Sequence, residues 1–309
     1  MVVASIPKQT WVDALADVPG LRPVLWDLTG TPPDPDIEIV VPPYMGSSQR
    51  LTVLAELPGL RAVQLLTAGY EQAVEYLPAG VQLANGAGVH DTSTAELALT
   101  LTLAALRGVP EMVKGQLAGS WQRLAGRPSL ADRRVLLVGY GAIGRAVARR
   151  LSTFEVSLTA VASRPRHGDD LVSRVHGIDD LPELLPEHDV VILIVPLTDS
   201  TRRLVDGRFL GALPEGALVV NVARGAVVDT DALQRECAAG RLLAALDVTD
   251  PEPLPDGHPL WSTPGVLISP HVGGASTAFE PRALALLRRE LAGYAAGDGL
   301  SNVVLTGGE

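Results

Sequence analysis

Two hydrophobic patterns alternate along the chain. Unbroken apolar runs such as "DVVILIVP" at 189–196 and "GALVVNV" at 216–222 lack the apolar–polar alternation of a half-exposed strand, so they predict strands covered on both faces. From Val135 onward such runs recur between helical stretches: "VLLVG", a helix, "VSLTAVAS", the acidic "DDLPELLPEH", the two runs above, "TDALQRECAAGR", "LLAALDV" and "VLISPHVGG". Strand–helix alternation of this kind implies parallel pairing, with functional loops at the carboxyl ends of the strands. The first third repeats the theme less regularly, with "RPVLWDLTG", "DIEIVVPPYMG", the helix-like "QRLTVLAELPGL" and the strand "RAVQLLTAG".

Between the two regions, "STAELALTLTLAALRG" predicts a helix capped by Ser93 or Thr94, with Glu96 in its first turn and Gly108 and Pro110 ending it. It is apolar nearly all round and is therefore expected between two bodies, either domains or subunits; the second choice implies a homodimer. The amphipathic "RALALLRRELAGYAAG" predicts a last helix that returns to the first domain.

At 309 residues, two domains are the expectation. A composition of 47% hydrophobic and 19% charged residues is globular, and the pattern gives neither a membrane span nor a secretory leader, so a cytoplasmic protein is expected. The formal net charge of −10 disfavours a nucleic-acid surface. A single cysteine, Cys237, excludes a disulfide framework and a cysteine-based zinc cluster; it reads as a buried filler, and no metal site is expected.

The stretch "GYGAIG" at 139–144 follows an apolar strand and opens a helix, the context in which a glycine-rich loop binds a dinucleotide. Gly139 makes the turn, Gly141 lets the backbone approach a pyrophosphate, Gly144 lets the helix pack on the strand, and the phosphates meet the N–H groups around Ala142 and Ile143. A site selective for NAD places an acid about 20 residues further on, against the ribose 2′-hydroxyl. Here Ala162 and Ser163 occupy that place, followed by Arg164 and Arg166, a set suited to a 2′-phosphate and hence to NADP(H), with NAD as the alternative. The other reading of these arginines is a solvated loop.

Hydride transfer to a carbonyl needs a proton donor and a cation for a neighbouring carboxylate. Of the six histidines, His90, His167, His176, His188 and His258 read as surface residues, whereas His271 stands directly after an apolar strand, ahead of paired glycines (Gly273 and Gly274) that allow close approach of a ligand. Arg224 likewise ends a buried strand and needs an anion, from a substrate or from a structural acid. Asp247 ends another strand, and either Asp250 or Glu252 could partner the histidine; spacing does not choose between them.

Taken in order, "GYGAIGRAVARRL", "VPLTDSTRRLVDG", "LPEGALVVNVARGAVVDTDAL", "AALDVTDPEPLPDGHPLW" and "ISPHVGG" resemble the D-isomer-specific 2-hydroxyacid dehydrogenases, most strongly from Thr94 to Gly274. The resemblance implies an α/β fold of two doubly wound parallel-sheet domains: a Rossmann cofactor domain, 99–274, inserted into a flavodoxin-like substrate domain, 1–98 and 275–309. It implies Arg224 of N-x-x-R-G, Glu252 of the E-P pair and His271 of P-H-x-G-G as the catalytic set. The backbone at Ala68 and Gly69 would hold the substrate carboxylate together with Arg224, and Pro196, Thr201, Val222, Ala223, Asp247 and Gly273 would line the cofactor; Ser163 and Arg164, read above from their distance past the glycine loop, join them as cofactor-binding candidates.

Two departures from the family pattern stand out: Ala162 replaces the ribose-binding acid, and Thr249–Asp250 replaces a frequent aromatic–Glu pair. The implied activity is reduction of a small 2-oxo acid of the glyoxylate or hydroxypyruvate type. A nucleotide-sensing corepressor, and relatives acting on 3-phosphoglycerate, formate or phosphite, are the alternatives; a chain of this length leaves no room for a feedback domain like that of phosphoglycerate dehydrogenases.

Overall fold

Apolar runs become strands and the intervening stretches become helices in the computed structural model, which describes residues 1–308. The chain begins β1 (Val2–Ile6), α1 (Gln9–Leu15), β2 (Leu21–Leu25), β3 (Ile37–Val40), β4 (Ala62–Gln64) and β5 (Gln82–Ala84). Next come α2 (Asp91–Arg107), α3 (Val109–Leu117), β6 (Arg134–Val138), α4 (Ala142–Leu151), β7 (Ser157–Val161), β8 (Arg166–His167) and β9 (Arg174–His176). They are followed by α5 (Leu181–Leu184), β10 (Val190–Leu193), α6 (Gly207–Ala212), β11 (Leu218–Asn221), α7 (Thr230–Ala238), β12 (Leu243–Leu246) and β13 (Val266–Ile268). The chain closes with α8 (Phe279–Ala296) and β14 (Val303–Thr306).

Contacts divide these elements into two units, Met1–His90 with Thr277–Glu309, and Asp91–Ser276. In the first, the sheet order is β14-β5-β4-β3-β1-β2, parallel except for the antiparallel edge strand β14. Its strands bury Ile6, Ile37, Ile39 and Leu83 completely, and α8 covers one face with Phe279, Ala283, Leu286, Leu287 and Leu291. In the second unit the order is β13-β12-β11-β10-β6-β7-β9-β8, parallel but for the short β8. The chain winds outward from β6 through β7 and then crosses back to β10, so the carboxyl ends of β6 and β10 flank the switch point, where doubly wound sheets bind their ligands. Every residue of β10 and β11 is buried, which accounts for the absence of alternation in those runs.

Four expectations shift. The 49–60 segment forms 3₁₀ turns over Ser48–Glu56, with Ser47 Oγ accepting from the Gln49 N–H. Helix α2 starts at Asp91, ahead of the expected caps Ser93 and Thr94, which lie buried in its first turn. Gly108, at φ +69°, does end it, but Pro110 opens α3, where a missing N–H costs nothing. The division between units falls at 90/91 and not at 98/99, because α2 packs as a whole on α4, β11 and β12 of the second unit. These neighbours bury Ala95, Ala98, Leu99, Leu101 and Leu106, while Leu97, Leu103 and Ala105 stay half-buried. Among the described residues no helix is long and apolar enough to cross a membrane.

The first unit's C-terminal strand is tied down by a buried carboxylate. Glu290 on α8 is 2% exposed and accepts the Ser301 N–H and hydroxyl, both at 2.6 Å, and two N–H groups of Arg289. Burial alone would raise its pKa, but the Ser301 hydroxyl, the Ser301 N–H and Arg289 outweigh it and leave the carboxyl below its ordinary value. Its stabilisation is therefore complete above the unfolded value of about 4.3 and drains away as the pH falls through the lower folded value. Glu290→Gln should cost about 1–3 kcal/mol at neutral pH, as expected for weakening a buried charge-assisted network. Denaturant unfolding of both forms should show that gap closing below about pH 4; a gap independent of pH contradicts the assignment.

Candidate active site

The glycine loop sits where backbone crowding requires it. Gly139 has φ +110°, and a Cβ there would stand 2.2 Å from the Ile194 carbonyl oxygen, so the turn after β6 abuts the end of β10. A Cβ on Gly144 would meet the Gly139 oxygen at 2.3 Å, which is the close packing of α4 on β6. At Gly141 nothing lies within 4 Å, and no side chain caps α4, so the N–H groups starting at Ala142 face open space. That cradle fits the pyrophosphate of a dinucleotide: exposed N–H donors, the positive end of a helix, and no Cβ in the way.

Three neighbouring strand ends carry Arg224, Glu252 and His271. The sheet ladder continues past the strands: Asp247 N–H donates to the Asn221 carbonyl (2.9 Å), Ser269 N–H to that of Leu246 (2.8 Å), and His271 N–H to that of Asp247 (2.7 Å). Arg224 follows Asn221 by three residues, and the Asn221 side chain shapes that loop, donating to the Arg224 carbonyl (3.0 Å) and accepting from the Ala223 N–H (3.0 Å). The Arg224 guanidinium is half-buried and donates to the Ala223 carbonyl at 2.7 Å. Directly after it, a Cβ on Gly225 would lie 1.9 Å from the Thr249 oxygen, so the loop bearing Arg224 and the loop leading to Glu252 touch backbone to backbone.

His271 occupies an unusual backbone state, φ +52°, which for a non-glycine residue costs about 1–3 kcal/mol and persists only where the surroundings enforce it. Asp247 supplies that enforcement. Its buried carboxylate accepts the Ser269 hydroxyl, the Val272 N–H (2.9 Å) and the Gly273 N–H (2.8 Å), fixing the chain on both sides of the histidine. Gly273 is confined in turn, since a Cβ would sit 2.9 Å from Asp247 Oδ2. So held, His271 meets Glu252 at 2.5 Å, Nδ1 to Oε1. Both side chains are some 40% exposed, a setting in which an ion pair is worth about 0–1 kcal/mol; the pair orients the ring and leaves Nε2 directed away from its partner.

Other residues singled out in the sequence take varied places. Thr201 is buried, and its hydroxyl donates to the Pro196 carbonyl (2.6 Å) and accepts the Thr198 N–H (2.8 Å), so these residues shape the turn after β10. Val222 and Ala223 are buried beside Arg224. Ser163 and Arg164 are exposed beyond β7. Ala68 and Gly69 lie in the first unit, on a turn held by Asn85 Nδ2 donating to the Ala68 carbonyl (2.8 Å) and the Thr67 hydroxyl donating to that of Gly69 (2.7 Å). Asp250 does not partner His271; its carbonyl accepts from Thr230.

Two histidines expected at the surface are buried. His90 bonds the Leu66 carbonyl at 2.8 Å, and His188 Nδ1 bonds that of Leu184 at 2.6 Å, with burial lowering the pKa of His188. Cys237 is buried, and burial pushes its thiol up to about 12, as an inert filler requires. Asn221 and Ser269 carry no expected role from sequence, although a polar residue ending an apolar run signals a side chain with partners to satisfy.

Fold and site together define a doubly wound dinucleotide-binding chain with an arginine after β11 and a carboxylate-paired histidine after β13, on either side of β12. Residues 99–273 match the family model of the D-isomer specific 2-hydroxyacid dehydrogenase NAD-binding domain. The chain is 33% identical over 248 residues to a glyoxylate reductase of Thermofilum pendens, covering 77% of this chain and 73% of that one. It is 32% identical over 225 residues to the human glyoxylate reductase/hydroxypyruvate reductase, covering 70% and 68%. A solved D-isomer specific 2-hydroxyacid dehydrogenase of Xanthobacter autotrophicus Py2, in complex with NADPH and MES, superposes with a TM-score of 0.82 at 29% identity over 98% of both chains. The chain belongs to the D-isomer specific 2-hydroxyacid dehydrogenase family. It is an oxidoreductase of 2-hydroxy acids with a nicotinamide-binding Rossmann domain.

The Gly225 contact gives a direct test of loop coupling. Gly225→Ala must push the Arg224 and Thr249 backbones apart and should lower turnover at least about tenfold with nucleotide affinity retained, whereas Gly207→Ala, where nothing lies within 4 Å, should be neutral. Equal kinetics in both variants would show that the two loops need not touch.

Proposed function

We propose that the chain reduces a small 2-oxo acid of the glyoxylate or hydroxypyruvate type to the D-2-hydroxy acid, using NADPH in preference to NADH. The observation that carries the reading is the His271–Glu252 pair at 2.5 Å, set by the Asp247 carboxylate at the strand end next to the one that leads to Arg224. Bound nicotinamide supplies the hydride. In the reducing direction, imidazolium His271 donates its Nε2 proton to the oxygen of the carbonyl, while Glu252 accepts from Nδ1–H and keeps the ring in register. The half-buried Arg224 guanidinium takes the substrate carboxylate, whose planar geometry it matches, and draws charge from the adjoining carbonyl.

The residues at the carboxyl end of β7 support the cofactor preference. Ala162 offers no carboxylate to a ribose 2′-hydroxyl, and Ser163 and Arg164 stand exposed at that strand end, a hydroxyl and a guanidinium suited to a phosphate dianion. The NADPH of the Xanthobacter relative is in keeping with it. A cytoplasmic homodimer completes the proposal. Its support is the exposed apolar run on and after α3, where Leu117 is 83% and Trp121 93% exposed, together with the buried, unpaired Cys237. Sedimentation of the chain should give twice its 32.4 kDa mass; a monomer at micromolar concentration overturns that part.

A matrix of 2-oxo acids against NADPH and NADH tests the activity. Glyoxylate or hydroxypyruvate with NADPH should give the highest kcat/KM, whereas cofactor binding without turnover across the panel would favour a nucleotide-sensing protein. Arg224→Gln should lower kcat/KM for the acids by about 10²–10⁴-fold, as loss of a charge-assisted bidentate contact does, and His271→Ala should lower kcat by about 10²–10⁴-fold with cofactor affinity unchanged. Unaltered kinetics in either variant removes that role.

A further inference from the structure

Tyr140, the residue between the first two glycines of the loop, makes more connections than a turn residue needs. It is 3% exposed, and three separate parts of it reach the β8–β9 hairpin. Its carbonyl accepts from the Arg166 guanidinium at 2.7 Å, its ring lies 5.9 Å from that guanidinium carbon, and its hydroxyl donates to Asp169 Oδ1 at 2.9 Å. Asp169 is itself built in. The same Oδ1 accepts the Leu171 N–H (2.9 Å) and the Val172 N–H (3.3 Å), while Oδ2 pairs with Nε of Arg145, in the first turns of α4, at 2.9 Å.

The hairpin turn below Asp169 is closed by Gly168 N–H to the Ser173 carbonyl and Asp169 N–H to that of Val172. A Cβ on Gly168 would collide with the Val172 oxygen at 1.8 Å, so this turn holds one shape. Burial, followed by the hydrogen bond to Asp169, pushes the Tyr140 phenol up to about 12, so it remains a donor at any working pH.

The segment Ser163–Arg164–Pro165 spans the gap between β7 and this hairpin, with Arg166 as the first hairpin residue. Arginines on an unanchored loop lose affinity to the ordering of their long side chains when they close on a phosphate. Here the loop is anchored at its far end, through Tyr140, to the loop that cradles the pyrophosphate. We propose that Tyr140 and Asp169 are positioning residues for cofactor selection: they lock the Arg164–Arg166 segment to the glycine loop and so set the preference for a 2′-phosphorylated dinucleotide. This rests on the proposed preference for NADPH. The glycine loop has its own supports, Gly139 N–H to the Val161 carbonyl and the packing of Gly139 on Ile194, so a nucleotide without the 2′-phosphate is indifferent to the lock.

The test is binding of 2′,5′-ADP, 5′-AMP, NADPH and NADH to the full chain and to Tyr140→Phe, which keeps the ring and removes only the donor. Asp169→Ala removes the acceptor, and Asp169→Asn keeps an oxygen for the phenol. The wild type should bind 2′,5′-ADP at least about tenfold more tightly than 5′-AMP. Tyr140→Phe and Asp169→Ala should each weaken 2′,5′-ADP and NADPH about tenfold, with 5′-AMP and NADH changed less than about twofold, kcat at saturating NADPH retained, and Asp169→Asn falling between. An equal loss for all four ligands, or none, overturns the positioning role and leaves the NADPH preference standing. A wild type that does not favour 2′,5′-ADP over 5′-AMP overturns both.

Discussion

The Asp247 carboxylate is the constraint on which the site depends. Placed at the end of β12 and buried, it has three donors, the Ser269 hydroxyl and the N–H groups of Val272 and Gly273, and all three belong to the segment carrying His271. A hydrogen bond to a charged group is worth about 1.5–3 kcal/mol, similar to the strain of His271 at φ +52°, so the three together can hold the histidine in a backbone state it would not adopt alone. From that state the ring meets Glu252. The family resemblance assigns Asp247 to the cofactor; a carboxylate has about four lone-pair sites, so the structural duty leaves capacity for one further donor.

The rest of the site follows from parallel strand geometry. Because β11, β12 and β13 run the same way in register, their loops emerge on one edge of the sheet, and the ladder bonds from Asn221 to Asp247 to His271 carry the alignment beyond the strands. Asn221 does for Arg224 what Asp247 does for His271: a polar side chain at a strand end fixes the loop that follows. At the other side of the switch point, the glycine loop and the β8–β9 hairpin are joined through Tyr140. Each of these loops is thus held by a side-chain hydrogen bond at its root.

Much of this is legible in the chain itself. Unbroken apolar runs of strand length, bounded by Gly, Pro or Asp, identify β10 and β11, and "GYGAIG" reads as a nucleotide loop because a strand precedes it and a helix follows. His271 stands out by its place after a strand. What stays hidden depends on contacts between distant segments. Spacing leaves Asp250 and Glu252 equivalent; the resemblance alone prefers Glu252, and the path of the loop turns that side chain toward Nδ1. His90 and His188 look solvated in sequence because nothing local announces that the Leu66 and Leu184 carbonyls await them. The breadth of the apolar surface of α2 is visible in sequence, but that α4, β11 and β12 pack on it depends on segments far along the chain.

The most direct measurement is a crystal structure of the chain with NADPH and oxamate, an unreactive 2-oxo acid mimic. The oxamate carboxylate should lie within hydrogen-bond reach of the Arg224 guanidinium, its amide carbonyl oxygen within reach of His271 Nε2, and the His271–Glu252 bond should be intact. Oxamate bound away from both side chains, or a His271 ring turned from the ligand with that bond broken, would contradict the assignment.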